Sequence, residues 1–327
     1  MIFGQSGFYK AIHSESNLWR AWRAVRRGSP MAGPDGVTVD AFERELFAHL
    51  KTLQSELQHR SYSPGPTKHF ELPKDDGGPR PHRSENAKRA IAVRSVRDRV
   101  VERALHQEVS HRVDPKFDHR SHAFRPGRST STAVQRLVRQ AGAERHWFGH
   151  LDIASCFPSL DHRILRRQLR SMVKKRDVRR LIMKFVTSAN SSDQDGKGIM
   201  QGGALSPLLC NIYLHRLDQR LDRTGLHFVR YADNILFVTA SREAAKKGCS
   251  AVTKALKKIK LRPNKRKTLT THFARGVAVL GYLLVEPKGH PDRVIHRDLY
   301  QDQEEGEDEM PPAGVQSLPS ETCREVE

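Results

Sequence analysis

Phe228-Val229-Arg230-Tyr231-Ala232-Asp233-Asn234-Ile235-Leu236-Phe237-Val238 is an apolar stretch interrupted once, by Ala232-Asp233-Asn234. Two short apolar runs around small and polar residues predict a strand, a tight turn and a returning strand. Asp233 then sits at the tip of the hairpin. A second aspartate, Asp152, ends another apolar run in His150-Leu151-Asp152, and Trp147 to Ile153 reads as a strand entering a loop. The two aspartates lie 81 positions apart, so only the fold can bring them together. Carboxylates at strand ends suit Mg²⁺, which demands hard oxygen ligands. Two such ions about 4 Å apart activate an attacking hydroxyl and stabilise a leaving pyrophosphate. Taken singly, each aspartate reads as a turn or cap residue; the surrounding sequence decides between the readings.

Outward from the hairpin, Ser206-Pro207 opens a helix whose buried stripe is Leu209, Ile212, Tyr213, Leu217 and Leu221. Ser at the cap and Pro at the first helical position fit a helix start. Residues 242–259 predict a helix and 278–285 a last strand. Upstream, Phe42, Leu46, Leu50, Leu53 and Leu57 recur at helical spacing and predict one amphipathic helix over 40–58. His69–Leu72 and Ala90–Val93 read as short extended segments, Arg97–His111 as a helix, and residues 161–187 as helical and rich in Arg and Lys.

The formal net charge of the 327 residues is +20, unevenly spread. Asp298 to Glu327 holds ten acidic residues and one basic one, a net of −9, so the rest carries +29. That excess suits a polyanionic partner. No apolar run approaches the roughly 18 residues that span a bilayer, so no membrane partner is expected. Cys156, Cys210, Cys249 and Cys323 form no Cys-x-x-Cys pair, which points away from a zinc or disulfide framework and toward a reducing cytoplasm.

The string Leu151-Asp152-Ile153-Ala154-Ser155-Cys156-Phe157-Pro158-Ser159-Leu160-Asp161-His162 resembles the first palm motif of group II intron and related bacterial reverse transcriptases. Gln201-Gly202-Gly203-Ala204-Leu205-Ser206-Pro207-Leu208-Leu209, with Asn211-Ile212-Tyr213-Leu214, resembles their second. Arg230-Tyr231-Ala232-Asp233-Asn234 resembles their hairpin motif, usually Tyr-x-Asp-Asp. Asn264 to Thr268 and Leu280-Gly281-Tyr282 resemble the two motifs that follow. Gly33 to Thr38, Pro73-Lys74, Arg97 to Val101 and Ala123 to Ser129 fall where finger motifs should. The resemblance covers roughly residues 15–287, in the right order.

It implies an α+β right-hand polymerase: a palm of antiparallel sheet with packed helices, plus fingers. Residues 1–145 would be an N-terminal extension and fingers, 146–287 the palm, and 288–327 an acidic tail without order. By the same resemblance, Asp152 and Asp233 would be catalytic metal ligands, with the carbonyl of Ile153 a further oxygen and Asn234 beside them. Mg²⁺ is the expected ion, with Mn²⁺ an alternative. Phe157 would be a steric gate that favours deoxynucleotides; its plain reading is a core aromatic. Gln201 and Gly202 would let the backbone approach the incoming nucleotide, and Lys267 would serve the pyrophosphate or stand solvated. Lys74 matches the finger lysine for the triphosphate. Arg89 or Arg80 would be its partner; Arg89 keeps the spacing to Asp98 and Arg80 the spacing to Lys74. The implied partners are an RNA template, a DNA or RNA primer and dNTPs.

Two departures stand out. Asn234 occupies the place of a second aspartate, and it has one carbonyl oxygen and no charge. Activity is then lowered, shifted toward Mn²⁺, or lost. No thumb is recognisable after the last palm motif, so a protein partner supplying one is an open expectation. The main reading is an RNA-directed DNA polymerase. The alternative is a catalytically weakened relative that serves as a nucleic-acid-binding subunit of an antiviral defence or CRISPR-linked system.

Overall fold

The computed structural model describes residues 7–73, 88–188, 196–286 and 294–298. In chain order the elements are α1 (Gly7–Ile12), α2 (Glu15–Arg26), α3 (Val39–Arg44), α4 (Leu46–Gln58), β1 (Thr67–Pro73), β2 (Lys88–Arg94), α5 (Val96–Val113) and α6 (Thr130–Ala141). There follow β3 (Trp147–Asp152), α7 (Cys156–Ser159), α8 (His162–Met172), α9 (Arg176–Ser188) and α10 (Ser206–Asp222). The last elements are β4 (His227–Tyr231), β5 (Asn234–Thr239), α11 (Arg242–Lys257), β6 (Leu269–His272), β7 (Val277–Val279), β8 (Tyr282–Val285) and β9 (Ile295–Asp298). This is the expected α+β class, and every described sheet is antiparallel.

Two compact units emerge. The first draws on the described residues before Asp118 and on Phe157–Tyr213; the second on Asp118–Cys156 and the described residues from Leu214 onward. In the first, α2 packs on α5, and Leu18, Trp22, Leu53, Leu57, Val101 and Leu105 are buried. Ser95 caps α5 by accepting from Asp98 N–H. The β1–β2 hairpin runs from Thr67 opposite Arg94 to Pro73 opposite Lys88.

The second unit holds a four-stranded sheet in the order β4-β5-β3-β6. Alternate residues of β5 divide between its faces, as a strand buried on both sides requires. Leu236 and Val238 join α6 in a core with Phe148, Val229 and Phe273. The ring of Phe237 takes the opposite face, toward α11. There a Cβ on Gly149 would fall 2.1 Å from it and one on Gly248 2.6 Å, so glycines make room for the ring.

Four expectations needed revision. The helix expected over 40–58 is two, because Glu45 leaves the helical region at φ −119°. The helical stretch expected over 161–187 breaks after Met172, where Val173 is extended. The strand expected at 278–285 is a hairpin whose turn, Leu280-Gly281, has positive φ at both residues, as tight hairpin turns require. The stretch 288–327, expected to be an acidic tail without order, contains β9, which pairs with β8. No helix among the described residues is long and apolar enough to cross a membrane.

Candidate active site

The end of the sheet in the second unit gathers the carboxylates. Asp152 is the last residue of β3 and lies in register with Asn234, the first of β5. Asp233 occupies the β4–β5 turn, and its carbonyl accepts from Ile153 N–H at 3.2 Å. Burial raises the pKa of Asp233 above the usual carboxylate value, and the charge of Asp152 raises it further. The two acids therefore face each other across the end of neighbouring strands. A pair of hard oxygen donors in mutual repulsion fits a divalent cation.

Each aspartate is held from behind. Asn264 N–H donates to the Asp152 carbonyl at 2.7 Å, and its side-chain amide donates to Asp152 Oδ1 at 3.3 Å. Lys267, largely exposed, places Nζ 3.8 Å from Asp152 Oδ2. On the other strand, Ala232 takes φ +54°, a conformation unfavourable for a residue with a Cβ. Its carbonyl accepts from Arg230 Nη1 at 2.9 Å. The Arg230 guanidinium is fully buried and makes two 2.7 Å bonds to the buried carboxylate of Asp218 on α10, plus one to Ser121 Oγ at 2.7 Å. The geometry of the turn is thus set by a buried, paired charge.

Asn234 bridges two side chains. Its Oδ1 accepts from His150 Nε2 at 2.8 Å, and its Nδ2 donates to Asp233 Oδ1 at 3.4 Å. Burial lowers the pKa of His150, while Asn234 and Asp152 pull it up and Lys267 pulls it down. The neutral ring supplies one N–H, which fixes the orientation of the Asn234 amide.

Asp152, Ile153, Asp233, Asn234 and Lys267 are thus brought together in the second unit. Phe157, Gln201 and Gly202 belong to the first. Phe157 is half-buried on α7, and its carbonyl accepts from Ile199 N–H at 3.0 Å. The Gln201 carbonyl accepts from Ala92 N–H of β2 at 2.9 Å. Gly202 has φ +103°, and a Cβ there would meet Ile91 at 2.8 Å, so only glycine lets this loop lie against β2. The backbone of Arg89 pairs with Leu72 in the β1–β2 hairpin. Lys74 and Arg80 lie outside the described residues.

Sequence reasoning gave no role to His150, Arg230 or Asp218. Their signals were an arginine inside an apolar strand, an aspartate between Leu217 and Leu221 on an apolar helix face, and a histidine two residues before Asp152 on the same strand face.

An antiparallel sheet with helices on its faces and two aspartates at one end of adjacent strands defines the class: a right-hand polymerase palm. Solved structures share the fold. Apo telomerase from Candida Tropicalis aligns with a TM-score of 0.53 at 12% identity, over 72% of this chain and 55% of that one. Telomerase from Candida albicans aligns with a TM-score of 0.54 at 13% identity, over 78% and 51%. Protein YkfC of Escherichia coli is 26% identical over 80% of this chain and 78% of its own length. Group II intron-encoded protein LtrA of Lactococcus lactis is 29% identical over 62% of this chain, which spans only 33% of LtrA. The family profile for reverse transcriptase (RNA-dependent DNA polymerase) matches residues 72–284. The chain belongs to the reverse transcriptase family, whose members are nucleotidyltransferases that use divalent metal ions.

Proposed function

We propose that this protein copies RNA into DNA by Mg²⁺-dependent nucleotidyl transfer centred on Asp152 and Asp233. The observation that carries the assignment is the meeting of these two carboxylates, Asp152 at the end of β3 and Asp233 in the β4–β5 turn, where the charge of Asp152 raises the cost of ionising Asp233. Asp152, Asp233 and the carbonyl of Ile153 hold the ions. When bound, the ions acidify the primer 3′-hydroxyl and neutralise the departing pyrophosphate. Asn264 and Lys267 orient Asp152; Arg230 fixes the turn that presents Asp233; Asn234 ties Asp233 to His150. Lys74, with Arg89 or Arg80, neutralises the triphosphate, and Lys267 receives the pyrophosphate. Phe157 excludes a 2′-hydroxyl, and Gln201 and Gly202 offer backbone to the nucleotide. Cys156, Cys210 and Cys249 are buried and not joined in disulfides, which supports a cytoplasmic setting.

The test is primer extension on an RNA template with purified protein, dNTPs or NTPs, and Mg²⁺ or Mn²⁺. Extension with dNTPs that requires the metal is expected, and Phe157→Ala should raise ribonucleotide incorporation relative to deoxynucleotide. Folded protein that binds primer–template yet extends with neither metal points instead to a nucleic-acid-binding subunit. Unchanged sugar discrimination in Phe157→Ala returns Phe157 to the core.

A further inference from the structure

At the end of β3 remote from Asp152, three metal-binding side chains meet. His146 immediately precedes β3, His272 ends β6 and Glu286 follows β8. Backbone hydrogen bonds fix the three positions. Phe273 N–H donates to the His146 carbonyl at 3.0 Å, and Glu286 N–H donates to the Phe273 carbonyl at 3.3 Å. Glu286 Oε1 lies 3.2 Å from His146 Nδ1, and Oε2 lies 3.4 Å from His272 Nδ1. One donor atom from each residue lies within 4.8 Å of the other two.

Neighbouring backbone groups fix where the donors of this cluster lie. His146 Nε2 is 3.2 Å from the Gly142 carbonyl, which can only accept, so Nε2 carries the hydrogen. In the neutral ring Nδ1 then presents a lone pair to Glu286. His272 Nδ1 accepts from Ala274 N–H at 3.2 Å, so it carries no hydrogen and its lone pair is held by that amide. Glu286 Oε2 is buried and receives no hydrogen bond. Among the described residues, no lysine or arginine pairs with Glu286. Two imidazole nitrogens converge on a carboxylate whose Oε2 has no hydrogen-bond donor, an arrangement that a cation resolves.

We propose that His146, His272 and Glu286 form a Zn²⁺ site distinct from the catalytic aspartates. Two imidazoles and a carboxylate are a ligand set for zinc, with water in the fourth position. Tetrahedral Zn²⁺ with bonds of this kind separates its ligands by about 3.3 Å, close to both observed nitrogen–oxygen separations. The Gly142 carbonyl is the outer partner that orients a ligating imidazole. The His272 side chain, 31% exposed, has room to turn, exchanging the Ala274 N–H for the ion. Six residues of strand, roughly 20 Å, separate His146 from Asp152, so the ion takes no part in nucleotidyl transfer. It pins the start of the catalytic strand to the ends of β6 and β8.

The experiment uses the full chain, stripped by chelator and then titrated with Zn²⁺ in excess Mg²⁺, so that Mg²⁺ competes at Asp152 and Asp233. Binding is read by metal content, by Tm, and by Co²⁺ quenching of Trp147, whose ring centroid lies 5.5 Å from that of His272. One Zn²⁺ per chain and a raised Tm are expected. Glu286→Gln and His272→Gln should each weaken Zn²⁺ binding tenfold or more, while Asp233→Asn leaves it unchanged. Wild-type Zn²⁺ affinity in both folded variants would overturn the site. So would absence of Zn²⁺ binding by the folded wild type. A metal-free Glu286→Gln protein that melts below metal-free wild type would also count against it, because that is the mark of an imidazolium–carboxylate ion pair.

Discussion

Asn234 shows how one amide can take a place usually held by a carboxylate. Its oxygen is committed to His150 and its nitrogen faces Asp233, so it acts as a bridge between β3 and the turn. Asn234→Asp keeps an acceptor for His150 and adds a third acid beside Asp152 and Asp233. Burial lowers the His150 pKa in the wild type; a carboxylate at 234 stabilises the protonated ring and moves its titration to higher pH. Histidine NMR should show that upward movement, and Mg²⁺-dependent extension should increase because the ions gain a charged ligand. An unmoved His150 midpoint would remove the contact from the account. Asp152 and Asp233 were legible in the sequence because a carboxylate between apolar runs marks a strand end. The bridging role of Asn234 was not, because its partner His150 is 84 positions away and only the β3–β5 register joins them.

Among the elements, the β4–β5 turn depends on Arg230. Arg230→Ala would leave Asp218 charged and unpaired in the core, at a cost of about 3–5 kcal/mol. Urea unfolding should register that loss. The double change Arg230→Met with Asp218→Leu removes both charges and should recover most of the stability. It does not restore the bond to the Ala232 carbonyl, so extension should stay low in a stable protein. Full activity in the double variant would show that the turn holds itself. The hairpin was readable from its apolar–polar–apolar pattern. The breaks at Glu45 and Val173 were not, because neither carries Gly or Pro and the apolar spacing runs through both. Strand β9 was missed for the opposite reason: four residues beside a strongly acidic stretch carry too little pattern to predict a strand, and their order comes from pairing with β8.

Across the whole molecule, charge supports the proposed nucleic-acid binding. Residues 1–297 carry a formal +29, and Arg163, Arg166, Arg167, Arg170, Lys174 and Lys175 are exposed on and after α8. Neutralising about six phosphates implies roughly 10³-fold weaker binding between 50 and 200 mM salt. Primer–template affinity should fall on that scale, and deletion of residues 298–327, a net −9, should leave it equal or stronger. Salt-independent binding would argue against phosphate contacts. The fold class was legible because ordered motifs fix which strands meet; the interleaving of two units was not, since it depends on which segments pack together. The central claim is that Asp152 and Asp233 hold the catalytic ions. It is tested most directly by Asp152→Asn and Asp233→Asn, assayed for extension on an RNA template in Mg²⁺ and Mn²⁺ with Tm measured beside it. In the wild type, burial and Asp152 raise the Asp233 pKa, so ionisation of Asp233 opposes folding as pH rises through that value. The account predicts that both variants lose extension in either metal, and that metal-free Asp233→Asn melts at or above wild type at pH 7. Extension at the wild-type rate by either folded variant would contradict it.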